Sequence, residues 1–288
     1  MAGALVLTLR MIKWEHTIFA LPFAVLSMLV ASGGRPAWNA VLWIVVAMVG
    51  ARSTAMAFNR LVDARFDARN PRTANREIPS GALRRGPVVV FTLVTAGMLV
   101  LAASQLNRLC FALSPVALAI VYFYSLTKRF SAFSHLFLGL GLAVAPIGAW
   151  LAVTGEFALF PLLLGAAVLF WVAGFDVIYA CQDTEFDRGV GLRSMSAWLG
   201  NRDALRVARL LHALAIATWV AATAAGGLGW LTLLGVGAVA VLLLYEHWLV
   251  RDTDLARIDQ AFFKVNSWVG IVFLLFVVAD LYRGSALR

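Results

Sequence analysis

The stretch Trp43-Ile44-Val45-Val46-Ala47-Met48-Val49-Gly50-Ala51-Arg52-Ser53-Thr54-Ala55-Met56-Ala57-Phe58 runs straight into Asn59-Arg60-Leu61-Val62-Asp63-Ala64-Arg65-Phe66-Asp67. A largely apolar segment therefore ends in two carboxylates at i, i+4. On a helix that spacing puts Asp63 and Asp67 on one face, where like charges repel unless a cation or another partner sits between them. About 120 residues further on, Tyr179-Ala180-Cys181-Gln182-Asp183-Thr184-Glu185-Phe186-Asp187 repeats the arrangement, with Asp183 and Asp187 four apart and a Phe before the second acid. Both acidic turns read as continuations of apolar helices.

The surroundings of these stretches set the class. The chain is 62% hydrophobic and 14% charged, with a mean hydropathy of +0.86, which excludes an ordinary soluble domain. A membrane-crossing helix needs roughly 20 mostly apolar residues. Nine stretches qualify: 15–33, 37–58, 87–105, 108–126, 134–153, 157–180, 204–225, 228–249 and 262–282. Only Ala225-Gly226-Gly227 separates the seventh from the eighth, which leaves eight or nine crossings open. The expected fold is all-α: a polytopic membrane protein of about nine transmembrane helices, forming a single domain over 1–288, with its motif loops at about 59–86 and 182–203. The first span is expected to stay in place as the insertion signal rather than to be removed. Cys110 and Cys181 fall near opposite membrane faces, too far apart for a disulfide.

Charge orients the bundle. With nine spans, 16 of the 24 Lys and Arg lie in the N-terminus and in the loops after the second, fourth, sixth and eighth spans. Arg206, Arg209 and Lys264 lie in the adjoining turns of the seventh and ninth spans. The other side carries Arg35, Arg108, Arg283 and Arg288, and Arg52 lies within a span. The positive-inside rule puts the N-terminus and both aspartate loops in the cytoplasm. A net charge of +9 can signal nucleic acid, but this topology accounts for most of it, so the bilayer and no nucleic acid is the expected partner. No feature names a protein partner.

Asn59, Asp63 and Asp67 form a stripe of oxygen-bearing side chains. Hard oxygen donors without His or Cys suit Mg²⁺ rather than zinc, and Mg²⁺ prefers one or two carboxylates plus substrate phosphates. The first loop also carries Arg72 and Arg76 four apart, and Lys128-Arg129 closes the fourth span. Arg binds phosphate bidentately and Lys acts as a point charge. Interleaved acids and cations at one membrane face describe a site for a metal–diphosphate whose lipid chain lies in the bilayer. The plainer alternative, solvated charge pairing, is favoured for Arg60, Arg65, Arg69, Arg84 and Arg85. The four histidines share no metal-ligand spacing and read as packed or interfacial, and Asp280 reads as interfacial.

The pattern Asn59-x-x-x-Asp63-x-x-Phe66-Asp67, then Arg72-Thr73-x-x-Arg76-x-x-x-x-Gly81, resembles the first signature of the UbiA superfamily of intramembrane aromatic prenyltransferases. Tyr179-x-x-x-Asp183-x-x-x-Asp187-x-Gly189-Val190-x-x-Arg193-Ser194 is similar to its second aspartate motif, and Tyr124-x-x-x-Lys128-Arg129 to its Tyr-Lys element. Arg10-Met11-x-Lys13-x-x-x-Thr17 resembles its opening pattern, although Ile12-Lys13-Trp14-Glu15-His16 departs from the Asp-Lys-Pro-Ile-Gly of many 4-hydroxybenzoate enzymes.

The resemblance implies helices around a central cavity. It also implies a Mg²⁺-dependent transfer of a polyprenyl group from an allylic polyprenyl diphosphate to a small aromatic acid in quinone biosynthesis. The favoured acceptor is 4-hydroxybenzoate, for ubiquinone; a dihydroxynaphthoate, for menaquinone, is the alternative. In that reading Asp63, Asp67, Asp183 and Asp187 carry the catalytic metal together with Asn59, and Arg72, Arg76, Lys128 and Arg129 take the diphosphate. Tyr124 and Tyr179, with Phe58 and Tyr122, offer aromatic faces to the allylic cation. Arg52, seven residues before Asn59 on the same helical face, either holds an acceptor carboxylate or pairs within the bundle. The base that removes the ring proton is not assigned. An aspartyl protease needs one acid on each of two helices, and a cation-coupled transporter needs acids near the midplane. Acids at helix ends with flanking Arg fit both rivals poorly.

Overall fold

The computed structural model describes residues 7–8, 10–12, 19–251, 255 and 257–286. Lys13, Glu15, His16 and Thr17 lie outside the described residues. The described chain is a helical bundle with the order α1 (Leu21–Ala31), α2 (Trp38–Asp67), α3 (Arg85–Leu106), α4 (Arg108–Thr127), α5 (Ser134–Thr154), α6 (Leu159–Ala180), α7 (Thr184–Val190), α8 (Met195–Leu199), α9 (Asn201–Ala225), α10 (Trp230–Leu249) and α11 (Asn266–Ala286), with a π-helical turn, Gln260–Val265, leading into α11. Among the described residues, eight helices are long and apolar enough to cross a membrane, and α1 is a shorter apolar helix of 11 residues. The seventh and eighth expected spans are separate crossings, because Gly226 and the left-handed Gly227 end α9 before α10 begins.

Large apolar side chains face outward along the helices, including Trp38, Val90, Leu93, Val94, Leu101, Leu234, Val241 and Leu244. Such a surface has no place in water and suits lipid, so the chain is an integral membrane protein. Inside, α6 is the hub: 61% of its most apolar window is buried, against 39% or less for every other spanning helix. Trp171 and Phe175 of α6 pack with Phe19, Phe23, Trp219 and Phe273 in the largest core cluster. Two glycines let the backbones close on α6. A Cβ at Gly139 would stand 2.3 Å from the Leu169 carbonyl, and one at Gly174 would stand 2.2 Å from the His212 ring.

A polar thread crosses the same core. Trp171 Nε1 donates to Asn266 Oδ1 at 2.7 Å, and Asn266 Nδ2 donates to Glu246 Oε1 at 2.8 Å and to the Ala261 carbonyl at 3.2 Å. His212 joins it through His247 at 3.0 Å and the Trp171 carbonyl at 3.2 Å. His212 is thus a packed histidine, as the sequence suggests. Cys110 and Cys181 are both free thiols.

Long-range contacts sort the helix ends into two groups. On one side, Tyr282 donates to the Gly34 carbonyl, Asn107 to the Leu151 carbonyl, and Asp280 accepts from Gly229 N and Thr232 Oγ1 at the start of α10. On the other side meet the ends of α2, α4 and α6: Asn70 and Arg72 reach Asp183, Arg129 reaches Val62, and Arg193 N donates to the Lys128 carbonyl at 2.7 Å. Both aspartate motifs thus lie at one end of the bundle.

The two acidic turns differ locally. Helix α2 continues for 30 residues through Asp63 and Asp67, as expected. Helix α6 stops at Ala180, short of Asp183, and so corrects the expectation that the second acidic turn continues it. The Cys181, Gln182 and Asp183 amides bond three residues back, to Ile178, Tyr179 and Ala180, a 3₁₀-type tightening. Thr184 Oγ1 then takes up the Cys181 carbonyl and Asn201 Oδ1, and Asp183 becomes the N-cap position of α7. Asp and Thr favour helix starts over interiors because their side chains compete for backbone groups. The i, i+4 relation survives, since Asp187 N donates to Asp183 O at 2.8 Å.

Candidate active site

The first cluster builds on α2 and the end of α4. Asp63 is almost fully buried. It accepts from Asn59 Nδ2 at 2.9 Å and faces Lys128 Nζ at 3.4 Å and Arg129 Nη2 at 3.5 Å. Asn59 also reaches Ser125 Oγ at 3.4 Å. Arg129 is fixed from two further directions, by the Val62 carbonyl at 2.8 Å and by the Phe66 ring, 5.5 Å below its guanidinium. Phe66, shared by position with Phe186, thus serves as a platform for a cation.

One turn on, Asp67 takes Arg76 Nη1 on both oxygens, at 2.7 and 2.9 Å. The loop is folded to allow this: Thr73 Oγ1 donates to the Asp67 carbonyl at 3.1 Å, and Asn70 and Thr73 carry the turn bonds between. The third cluster joins the two motifs. Arg72 grips Asp183 through both Nε, at 3.1 Å, and Nη2, and sends Nη1 to Tyr179 OH at 2.9 Å. Its guanidinium also lies over the Tyr179 ring, 5.2 Å from the centroid. Burial by itself lowers the Arg72 proton affinity; the bond to Asp183 and the field of Tyr179, Asp183 and Asp259 outweigh it, so its pKa lies above the usual arginine value.

Asp187 is buried on α7. Burial raises its carboxyl above the ordinary range, with the Ser194 hydroxyl and the Lys128 charge pulling the other way. Lys128 therefore acts on an acid of each motif. Of the aromatic candidates, Tyr179 packs against Phe262 with ring centroids 4.3 Å apart and Phe58 against Tyr122 at 4.4 Å, each pair tilted by 35°, and the Tyr122 hydroxyl bonds Thr54 Oγ1 at 2.6 Å. Tyr124 lies within the fields of Asp63, Arg60 and Arg52. Arg52 is half-buried in α2, two turns deeper than Asn59. Arg60, expected to be a solvated charge, is instead buried, with its Nε bonded to the Met11 carbonyl at 3.3 Å, whereas Arg65, Arg69, Arg84 and Arg85 are exposed, as expected.

Sequence reasoning missed Asn70. It is buried, donates Nδ2 to Asp183 Oδ1 at 3.0 Å, and accepts the Arg72 amide at 2.9 Å, so it sets the turn and touches the other motif at once. An Asn in a polar loop carries no signal of a partner 113 residues away.

In chemical terms the mouth holds four carboxylates from both halves of the chain. Asp63, Asp67 and Asp183 are matched by Asn, Lys and Arg donors of the first half, and Asp187 lies beside the Ser194 hydroxyl in the field of Lys128. Among the described residues no three His, Cys, Asp or Glu side chains converge on one point. This all-oxygen set suits a hard cation that takes one or two protein carboxylates and fills the rest of its shell with phosphate and water. It does not suit a metal that needs a full protein cage.

The chain is similar in sequence and fold to known proteins. Residues 20–268 match the model of the UbiA prenyltransferase family. A 4-hydroxybenzoate octaprenyltransferase of Methylobacillus flagellatus is 31% identical over 89% of this chain and 86% of its own length. One from Paraburkholderia phytofirmans is 28% identical over 99% and 100%. Among solved structures, the apo form of a UbiA homolog from Aeropyrum pernix K1 superposes with a TM-score of 0.84 at 33% identity, over 92% of this chain and 98% of that one. A UbiA homolog from Archaeoglobus fulgidus bound to DMAPP and Mg²⁺ shares the fold, with a TM-score of 0.73 at 17% identity over 96% and 99%. With its two aspartate motifs joined at one end of a membrane bundle and the family model matched across the spanning helices, the chain belongs to the UbiA prenyltransferase family.

Proposed function

We propose that the chain transfers a polyprenyl group from an allylic polyprenyl diphosphate to 4-hydroxybenzoate, with Mg²⁺, at the cytoplasmic face of a bacterial inner membrane. The observation that carries this reading is the junction of Arg72 with Asp183 and Tyr179 across 111 residues of sequence, flanked by Asp67–Arg76 and Asp63–Lys128. Acids and cations that pair with one another at one mouth are the two halves of a metal–diphosphate cradle. The names of the relatives support the acceptor.

Asp63, Asp67, Asp183 and Asp187, with Asn59 beside Asp63, would hold the metal, which when bound supplies positive charge against the diphosphate oxygens. Arg72 and Arg76 are forked donors that turn from carboxylate to phosphate without losing geometry. Lys128 and Arg129 add charge as the allylic C–O bond breaks and the electron pair leaves with the diphosphate. Such preorganised charge acts where charge develops. Tyr179 and Tyr124 then present ring faces to the allylic cation, and the bundle keeps water from it. Arg52, two turns deeper, fits an acceptor carboxylate below the diphosphate level.

The test is incubation of membranes carrying the protein with Mg²⁺, radiolabelled polyprenyl diphosphate and a panel of 4-hydroxybenzoate and dihydroxynaphthoates. Label is expected in prenylated 4-hydroxybenzoate. Label only in the naphthoate would overturn the acceptor, and label in no acceptor would overturn the activity.

A further inference from the structure

Asp176 lies on α6 three residues before Tyr179, so these two side chains share one helical face, and Asp183 follows after the 3₁₀ turn that ends α6. From 171 to 178 every other residue of α6 is buried, whereas Asp176 is partly accessible, as are Tyr179 and Asp183 above it. A carboxylate inside a spanning helix does not face lipid; it faces the bundle interior or a wet cavity. The last turn of α6 and the 3₁₀ turn after it put Asp176 on the order of 10 Å deeper than Asp183, on the side of the diphosphate site where the chain and ring of the substrates would lie.

Its partner is His135 at the start of α5, itself buried, with Nδ1 2.6 Å from Asp176 Oδ2. The other ring nitrogen, Nε2, accepts the Met195 backbone amide at 3.3 Å. A nitrogen that accepts a hydrogen bond carries no proton, so the neutral ring bears its hydrogen on Nδ1 and donates it to Asp176. His135 is thereby held by the first amide of α8 and in turn orients the carboxylate. The other acids of the bundle are committed elsewhere: Asp63, Asp67 and Asp183 to Lys and Arg, and Glu246, wholly enclosed, to Asn266. Asp176 pairs with a histidine instead, and its side chain keeps 24% of its surface open.

We propose that Asp176, oriented by His135, accepts the ring proton in the last step of the transfer; this rests on the prenylation of an aromatic acid argued above. The allylic C–O bond breaks with its electron pair going to the diphosphate. A π pair of the ring forms the new C–C bond beside the phenolic hydroxyl. The C–H pair then restores the aromatic ring, and the proton passes to Asp176, which becomes a neutral acid and later yields the proton to water. His135 acts through Asp176 and is a positioning residue.

The experiment compares the native protein with D176N, D176E and H135Q in steady-state turnover with ring-deuterated and ordinary 4-hydroxybenzoate, alongside binding of the prenyl diphosphate. General-base loss lowers rates by about 100-fold or more. D176N is expected to show that loss at unchanged diphosphate binding, with a ring-deuterium isotope effect larger than the native one, because deprotonation has become slow. D176E is expected to recover part of the rate, and H135Q to lower kcat with KM for the diphosphate unchanged. Near-native turnover in D176N, or a rate loss without any rise in the isotope effect, overturns the assignment. If D176N also loses diphosphate binding, H135Q decides: a lowered kcat with a raised isotope effect supports the role, and a native kcat overturns it. A native protein that prenylates no aromatic acid would instead overturn the underlying function.

Discussion

The carboxylates of the site are held differently, Asp63 by Lys128 and Arg129, Asp67 by Arg76, Asp183 by Arg72, and Asp187 beside Ser194 within the field of Lys128. That division fixes what single substitutions do. Asp63→Asn keeps the shape and the bond to Asn59 but removes the charge that Lys128 and Arg129 oppose; Asp183→Asn does the same to Arg72. Each is expected to lower turnover at least about 100-fold, the scale of losing a preorganised charge at the reacting group, while membrane insertion is retained. Radiolabel transfer and the yield of membrane-extracted protein measure the two together, and near-native transfer by either variant would remove that pair from the metal site. Arg72→Lys keeps the charge and loses the fork that reaches Asp183 and Tyr179. A lost charge-assisted bond of about 1.5–3 kcal/mol corresponds to a KM for the diphosphate raised about 10- to 150-fold, read from donor titrations. An unchanged KM would show that Arg72 serves only as a point charge. The acids and the flanking Arg were legible in the sequence because spacing and charge lie along the chain. Asn70, Asp176 and His135 were not, since their meaning is a contact with Asp183, with a ring, or with a distant backbone amide.

At the scale of helices, the site depends on how α6 is held. Its polar core thread joins α6, α10, the π-helical turn and α11 through Asn266, which uses both ends of its amide. Asn266→Leu has a similar volume and leaves Trp171 Nε1 and a Glu246 oxygen without that partner. Each orphaned buried group costs about 1–3 kcal/mol, so thermal unfolding of the detergent-solubilised protein is expected to show a clearly lowered midpoint; an unchanged midpoint would mean the thread is dispensable. Apolar stretches such as 159–180 declare a spanning helix, and the sequence boundaries of α3 to α6 lie close to those observed. The end of α6 was misread because the i, i+4 spacing of Asp183 and Asp187 is the same on a continuing helix and on a fresh one capped at Asp183. The 3₁₀ turn at 181–183 and the bond of Thr184 to Asn201 decide between them, and the second of these is tertiary.

The whole molecule has two unlike ends. The ends of α2, α4 and α6 meet in the acid–cation cluster, whereas the opposite end is tied by Tyr282 to Gly34, Asn107 to Leu151 and Asp280 to Gly229. The alternation of ends that the charge count implied is therefore reproduced by contacts that make no use of charge counting. The hydrogen bonds place loops at a common end, and the Arg–Lys bias predicts which end faces the cytoplasm. Reporter fusions test that predicted orientation. Alkaline phosphatase, active only outside the cytoplasm, is expected to be active when fused after Gly34, Gly155 or Gly227, between helices at the sparsely charged end. It is expected to be inactive after Ala74 or Gly191, in the loops that carry the site. The reverse pattern would turn the bundle over and put the diphosphate site on the outer face. A mixed pattern would break the alternation that Arg72, in bonding Asp183, requires of the helices between them.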